Sequence, residues 1–338
     1  DMSIAVDRIL VAIKNKESIM IFGDYDVDGT SSVALLSMYL KSKGCEIVSY
    51  FPDRNLEGYG ISVKAIDLAS QNNQKLIIAL DCGIKAHNQV NYALEKEINF
   101  IICDHHNPEE FIPKALAILN PKRKDCSYPF KELCGCGVGF KLIQALELKI
   151  NNKIDDIINY LDLVAIAIAA DIVPLIGENR VLAHIGIQII NSNPRVGLYS
   201  LFKNRDKKEF NIGDLMFHIA PRINAAGRMK HASLALELLI ETDVKKAESQ
   251  ALKIETLNSS RREIEKQTTN QALDLIKEDN PETNSTVVFN KSWNKGVIGI
   301  VASRLIEKHY KPTVVFCESK EGELTACLLY TSPSPRDS

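Results

Sequence analysis

The chain has 338 residues, of which 45% are hydrophobic and 25% charged, with a formal net charge of −2. That balance excludes a disordered or fibrous protein, and the length suits about two domains at roughly 150 residues each. The longest apolar run, Leu163–Ala170, falls far short of the ~20 residues that span a bilayer, and the charge by itself advertises no nucleic-acid partner.

In chain order, the sequence opens on Asp1 rather than Met and carries no secretory signal pattern, which predicts a truncated or processed start. Ile4–Ile13 has apolar residues at helical spacing. Ser18–Phe22 is a short apolar run ending in Gly23, as in a buried parallel strand. Helices are predicted over Thr30–Lys43, Ser62–Gln71 and Gln89–Lys96. Strands are predicted over Cys45–Phe51, Lys75–Leu80 and Asn99–Cys103. This alternation predicts an α/β fold with a parallel sheet covered by helices on both faces, and in such sheets ligands bind beyond the carboxyl ends of the strands. Further helices are predicted over Val138–Lys149, Asn159–Ala170 (buried), Val181–Asn191 and Ser233–Ile240. Lys245–Glu278 reads as one long connecting helix, with a stripe of Ala247, Ala251, Ile254, Leu257, Ile264, Thr268, Ala272 and Leu275. After Pro281, strands at Thr286–Phe289 and Thr313–Cys317 flank a helix at Val297–His309, the start of a smaller α/β unit. The eight cysteines are scattered, mostly in apolar stretches such as those of Cys45, Cys82, Cys103 and Cys317. They suit reduced thiols of a cytoplasmic protein better than a disulfide framework.

Acidic and imidazole residues fall just past apolar elements. The first strand runs into Asp24, Asp26 and Asp28, the third into Asp81, the fourth into Asp104, His105 and His106, and the buried helix into Asp171. In a parallel sheet three of these ends share one edge. Clustered carboxylates are pushed toward protonation unless a cation neutralises them. Asp and His without organised Cys ligands point to Mn²⁺ or Mg²⁺. Five or six such ligands suffice for two ions about 3.5–4 Å apart, an arrangement that clamps both oxygens of a phosphoryl displacement. A calcium loop is a poorer reading of DxDxDG here, because Leu35 stands where the twelfth-position Glu belongs. Cys134-Gly135-Cys136-Gly137 reads as a glycine-rich run that lets a helix start approach a phosphate or another backbone, rather than as a redox pair. Trp293 is open to two readings, a core residue or a platform for a base.

The segments GDYDVDG (23–29), DCG (81–83), DHH (104–106) and ADIVPL (170–175) resemble the motifs of the DHH phosphoesterases. FPDRNLEGYG (51–60), NPKRKDCSYPFKELCGCGVGFKL (120–142), PRINAAGRM (221–229) and WNKGVIGIVASRL (293–305) extend the resemblance to RecJ-type single-strand-specific exonucleases. It covers about residues 1–326. It implies a DHH catalytic domain over 1–240, a connecting helix over 241–280, and the first part of a DHH-associated substrate domain (DHHA1) over 281–326. Residues 327–338 resemble a translated sequencing adaptor and are expected to be non-native. The resemblance further implies two ions, one held by Asp24, Asp26 and Asp81, the other by Asp28, Asp81, His105 and Asp171, with Asp81 bridging. His106 would face the scissile phosphate as a donor. Phe22 stands where relatives with pyrophosphatase activity carry a ligand His, which argues against that branch. Arg54, Arg222 and Arg228 are candidates for gripping substrate phosphates, unless local carboxylates occupy them. The implied activity is 5′→3′ removal of nucleotides from single-stranded DNA in repair and recombination. Single-stranded DNA is the implied partner, with a helicase or single-strand-binding protein beside it. The alternative is a phosphodiesterase acting on short oligonucleotides or cyclic dinucleotides.

Overall fold

The computed structural model describes residues 1–54, 56–150, 153–203, 209–277, 283–320 and 322–330. Its elements begin with α1 (Met2–Asn15), β1 (Ile19–Gly23), α2 (Val27–Ser42), β2 (Ile47–Tyr50), α3 (Val63–Gln71), β3 (Leu76–Leu80), α4 (His87–Glu95), β4 (Asn99–Cys103) and β5 (Ala117–Leu119). A helical layer follows: α5 (Gly135–Ile150), α6 (Leu161–Asp171), α7 (Gly177–Ser192), α8 (Val196–Phe202), the single turn α9 (Ile212–Asp214), α10 (Ala220–Met229), α11 (Ser233–Ile240) and α12 (Val244–Lys277). The chain continues with β6 (Thr286–Phe289), α13 (Ile298–His309), β7 (Thr313–Lys320) and β8 (Glu323–Leu329).

The first five strands form a parallel sheet in the order β2-β1-β3-β4-β5. Side chains alternate between its faces, as the two-residue period requires. Ile19, Ile21, Leu76, Ile78, Leu80, Ile101 and Cys103 join the core beneath α1, α2, α5 and α6. Met20, Phe22, Ile77, Ala79, Phe100 and Ile102 join the core on the α3 and α4 side. Both faces are covered, so these strands are apolar throughout rather than alternating. Register then aligns the ends: Gly23 pairs with Leu80, and Leu80 with Cys103. Asp24, Asp81 and Asp104, the next residues of the three strands, therefore leave the sheet at one level.

The chain divides into two compact units, Asp1–Glu255 and Thr256–Ser338, with the division inside α12. In the second unit β6 pairs parallel with β7, and β7 antiparallel with β8. Ala272, Trp293, Val301, Leu305 and Val315 form its core. Trp293 is 4% exposed and donates its indole N–H to Gln271 (2.8 Å), so of its two readings the structure shows the core one. Leu275, expected on the buried stripe of α12, is 40% exposed. Residues 327–329 pair with β7 as the end of β8, whereas 331–338 lie outside the described residues, as do Glu278 and Pro281.

Several helices start earlier than their apolar periodicity predicts, α7 at Gly177 instead of Val181 among them, and for two the cause is a carboxylate at the first turn. α2 begins at Val27 instead of Thr30, because the Asp26 carboxylate accepts the Gly29 N–H (2.9 Å) and caps it. α5 begins at Gly135 instead of Val138, because its first N–H groups find a carboxylate. Among the described residues no helix is long and apolar enough to cross a membrane.

Candidate metal centre

The site grows out of the aligned strand ends. Asp24 and Asp28 on one crossover, Asp81 after β3, His105 after β4 and Asp171 at the end of α6 converge beyond the sheet. Three groups of potential ligand atoms each lie within 4.8 Å of one another: Asp24, Asp26 and Asp81; Asp28, His105 and Asp171; Asp81, His105 and His106. His105 Nε2 stands 3.2 Å from Asp81 Oδ1, 3.5 Å from Asp171 Oδ2 and 3.8 Å from Asp28 Oδ2. Asp81 takes part in two of the three groups. Its φ of 60° is left-handed, a conformation rare for residues with a Cβ, and Ile172 directly after Asp171 has a φ of 56°. Both reversals turn a ligand-bearing element sharply at the site.

Electrostatically the centre is under-compensated. Asp24, Asp28 and Asp81 are buried, and among the described residues no lysine or arginine forms an ion pair with them. Burial, reinforced by Asp26, lifts the Asp24 carboxyl to about 7. Burial and then Asp26 lift Asp171 to about 6. Burial pushes Asp28 and Asp81 well above the ordinary carboxylate range, with Asp171 and Asp28 respectively adding the next largest push. Burial, followed by the neighbouring His106, lowers His105 to about 4 and so keeps it neutral, the form that ligates metals. Asp81 Oδ1 and His105 Nε2 are buried with no hydrogen-bond partner. Buried polar atoms are nearly always paired. Orphaned oxygen and nitrogen atoms facing each other amid clustered carboxylates fit a divalent cation.

His106 is held differently. Its Nδ1 lies 2.7 Å from Asp104 Oδ1, and that hydrogen bond raises its pKa against the effect of burial. Asp104 also accepts the N–H groups of His105 (2.7 Å), His106 (3.1 Å) and Ile84 (2.9 Å). Burial works against its ionisation, but these bonds and the His106 charge prevail and hold it below the usual carboxylate range. The other imidazole nitrogen of His106 is 3.5 Å from the Tyr59 hydroxyl. Asp104 and Tyr59 received no role from the sequence, although Asp104 sits two residues before His106, the spacing of a local orienting carboxylate.

The three arginines differ. The Arg54 guanidinium stacks 5.2 Å from the centre of the Tyr25 ring. The segment bearing it is pinned by Glu57, whose carboxylate accepts from the Tyr50 hydroxyl (2.7 Å), Ser62 Oγ (2.6 Å) and the Asp53 N–H (3.1 Å). Arg228 follows Gly227, whose position leaves no room for a Cβ: one would stand 2.3 Å from the Tyr25 carbonyl oxygen. Arg222 is 8% exposed, pairs with Glu255 and donates to the His218 carbonyl, so protein partners occupy its guanidinium. Phe22 stacks on Tyr50 with ring centres 5.7 Å apart, in the core layer of α3 and α4.

A parallel sheet with a carboxylate–imidazole centre beyond its carboxyl edge defines a metal-binding α/β domain. Residues 18–168 match the DHH family, N-terminal domain. Over 93% of its length the chain is 39% identical to the single-stranded-DNA-specific exonuclease RecJ of Bacillus subtilis, of which it covers 39%. It is 35% identical over 95% of its length to the protein of the same name from Escherichia coli, of which it covers 58%. A crystal structure of exonuclease RecJ bound to manganese superposes with a TM-score of 0.86 at 30% identity, covering 96% of this chain and 81% of that one. The chain belongs to the DHH family, in its RecJ branch. It thus spans between 39% and 58% of the length of these two curated relatives.

Proposed function

We propose that the chain carries the catalytic centre of a metal-dependent exonuclease that hydrolyses phosphodiester bonds and releases nucleotides from the 5′ end of single-stranded DNA, in repair and recombination. The carrying observation is the orphaned pair Asp81 Oδ1 and His105 Nε2 amid buried carboxylates. The likeness to RecJ structures bound to manganese and magnesium supports the same reading. Asp24, Asp26 and Asp81 would hold one ion, and Asp28, Asp81, His105 and Asp171 the second, as Mn²⁺ or Mg²⁺. Bound there, the ions would neutralise the phosphate and lower the pKa of a water so that hydroxide forms near neutral pH.

The chain's own groups do the rest. Asp104 fixes the His106 ring and favours its doubly protonated form, so that the nitrogen remote from Asp104 can donate to a phosphate oxygen. Arg54 and Arg228 would offer planar guanidinium groups to the flanking phosphates in exchange for the contacts they now make, and Arg222 would do so on leaving Glu255. The domain reading proposed is a catalytic domain over 1–240, a connecting helix over 241–280 and the first part of a substrate domain over 281–326. Cysteines that form no disulfide, six of the eight buried, support a cytoplasmic setting. A helicase or single-strand-binding partner is proposed from the family resemblance alone.

Replacing Asp28 or Asp81 by Ala tests the reading. Mn²⁺-dependent nucleotide release from 5′-labelled single strands is expected to vanish in both variants, and retained release refutes the assignment. A preference for dinucleotides over long single strands would point to the short-oligonucleotide phosphodiesterase instead.

A further inference from the structure

The glycine-rich run that opens α5 brings the helix start against a distant segment, the backbone and carboxylate of Asp81 and the carboxylate of Asp28. The Gly135 N–H donates to Asp28 Oδ2 (2.6 Å), and the Cys136 N–H to Asp28 Oδ1 (2.7 Å). One helix start thus grips both oxygens of one carboxylate, the charge that suits the positive end of a helix. The same residue also abuts the neighbouring ligand. A Cβ at Gly135 would stand 2.6 Å from Asp81 Cβ, 2.7 Å from its Oδ1 and 2.9 Å from its Cα. Asp81 has little freedom to retreat, because it is in a left-handed conformation and its N–H donates to the Cys103 carbonyl at 2.8 Å. Asp28 is likewise fixed in the first turn of α2. Both carboxylates then face one imidazole nitrogen, His105 Nε2.

We propose that Gly135 is a positioning residue of the metal centre: by gripping Asp28 through the start of α5 and lying flush against Asp81, it sets the separation at which these carboxylates and His105 close on a shared ion. The inference rests on the metal-centre reading above and assigns a cause to its geometry. The spacing of two ligands from different elements, the start of α2 and the end of β3, is set by a third element that ligates nothing. Only glycine fits, because any Cβ would collide with the side chain and Cα of Asp81.

The test is Mn²⁺ binding to the whole chain, followed by electron paramagnetic resonance, for the unsubstituted protein and for Gly135→Ala and Gly139→Ala. Gly139→Ala is the control on the same helix, since a Cβ there meets only Leu80 Cδ2 at 3.4 Å and Leu35 Cδ2 at 3.9 Å. Gly135→Ala is expected to weaken one ion by about tenfold or more, the usual effect of disturbing groups that orient metal ligands. Circular dichroism of the metal-free variant should remain native, and Gly139→Ala should bind as the unsubstituted chain does. Wild-type affinity in Gly135→Ala, or equal weakening by Gly139→Ala, overturns the proposal. Should Gly135→Ala fail to fold, Cys136→Pro decides. It deletes one of the two N–H donors at a first-turn position that tolerates proline, and wild-type affinity there overturns the proposal as well. Absence of Mn²⁺ uptake by the unsubstituted chain would overturn the metal-centre reading itself, and the inference with it.

Discussion

Asp104→Asn separates orientation of His106 from metal ligation. The carboxylate accepts three N–H groups and the His106 ring, with Oδ1 serving the two histidines and Oδ2 serving Ile84. An asparagine keeps one oxygen. With that oxygen on the histidine side, its NH₂ faces the Ile84 N–H, so two donors oppose each other in a buried place. One unsatisfied donor costs about 1–3 kcal/mol. The bond to His106 survives but loses its charge, which roughly halves its strength. The proton that Asp104 favours on His106 is then less firmly held, and the donor aimed at the phosphate weakens. Loss of one donor of this kind typically slows an enzyme by on the order of 10²–10³-fold. The variant is therefore expected to lose about 1–3 kcal/mol in urea unfolding and to release nucleotides on the order of 10²–10³-fold more slowly. Mn²⁺ uptake should be intact, because Asp104 is not among the proposed ligands. An unchanged rate would refute the orienting role. Mn²⁺ binding lost in step with activity would show that Asp104 is itself a ligand.

Two further outcomes follow from buried charges. Arg195 grips the 2%-exposed Asp162 through Nε (2.6 Å) and Nη2 (2.5 Å), so Arg195→Met strands a buried carboxylate and should cost about 3–5 kcal/mol in urea unfolding; a loss under 1 kcal/mol would contradict it. Asp24 and Asp171 are raised to about 7 and about 6 in the folded, metal-free chain, above the ~3.9 of an unfolded aspartate. The native state then holds more protons across that window, so their contribution to metal-free stability falls as pH rises from about 4 to about 7. Ions displace those protons, so Mn²⁺ affinity should rise over the same range. Melting curves with chelator and with Mn²⁺ at pH 5.5 and 8 should diverge most at pH 8, and parallel curves would refute the linkage.

Much of the fold was legible because periodicity carried it. Ile19–Phe22, Leu76–Leu80 and Phe100–Cys103 are apolar throughout, as strands covered on both faces must be, and an aspartate follows each within two residues. The convergence of Asp24, Asp81 and Asp104 could be read from the same junctions, since an Asp directly after a buried strand has nowhere to go but the sheet edge. What periodicity could not show were contacts between distant segments. The start of α5 is set by Asp28, over a hundred residues earlier, so no local pattern marks it. Likewise β5 is three residues long, too short to declare itself, and α10 carries a glycine dictated by the Tyr25 carbonyl. The partner of Arg222 lies on α12, 33 residues away, which is why guanidinium chemistry alone could not decide between a phosphate and Glu255.

The centre also shows why its carboxylates differ in role. Asp24, Asp28, Asp81 and Asp104 are buried, and among the described residues no lysine or arginine forms an ion pair with them. A fixed ammonium or guanidinium would occupy the lone pairs that a divalent ion needs. Backbone N–H groups serve instead, and their number sorts the set. Asp104 accepts three N–H groups besides the His106 ring, which leaves it little to offer an ion. Asp28 accepts two, and Asp24 accepts one, from Tyr25. Asp81 Oδ1 accepts none. The gradient runs from Asp104, the proposed orienting group, to Asp81, the proposed bridging ligand, and it is set by the backbone rather than by side-chain chemistry. Four aspartates of identical chemistry thus differ in how many acceptor sites they leave open. The net charge of −2 conceals this, because a whole-chain balance sums the aspartates of the centre with cations spread over the whole sequence.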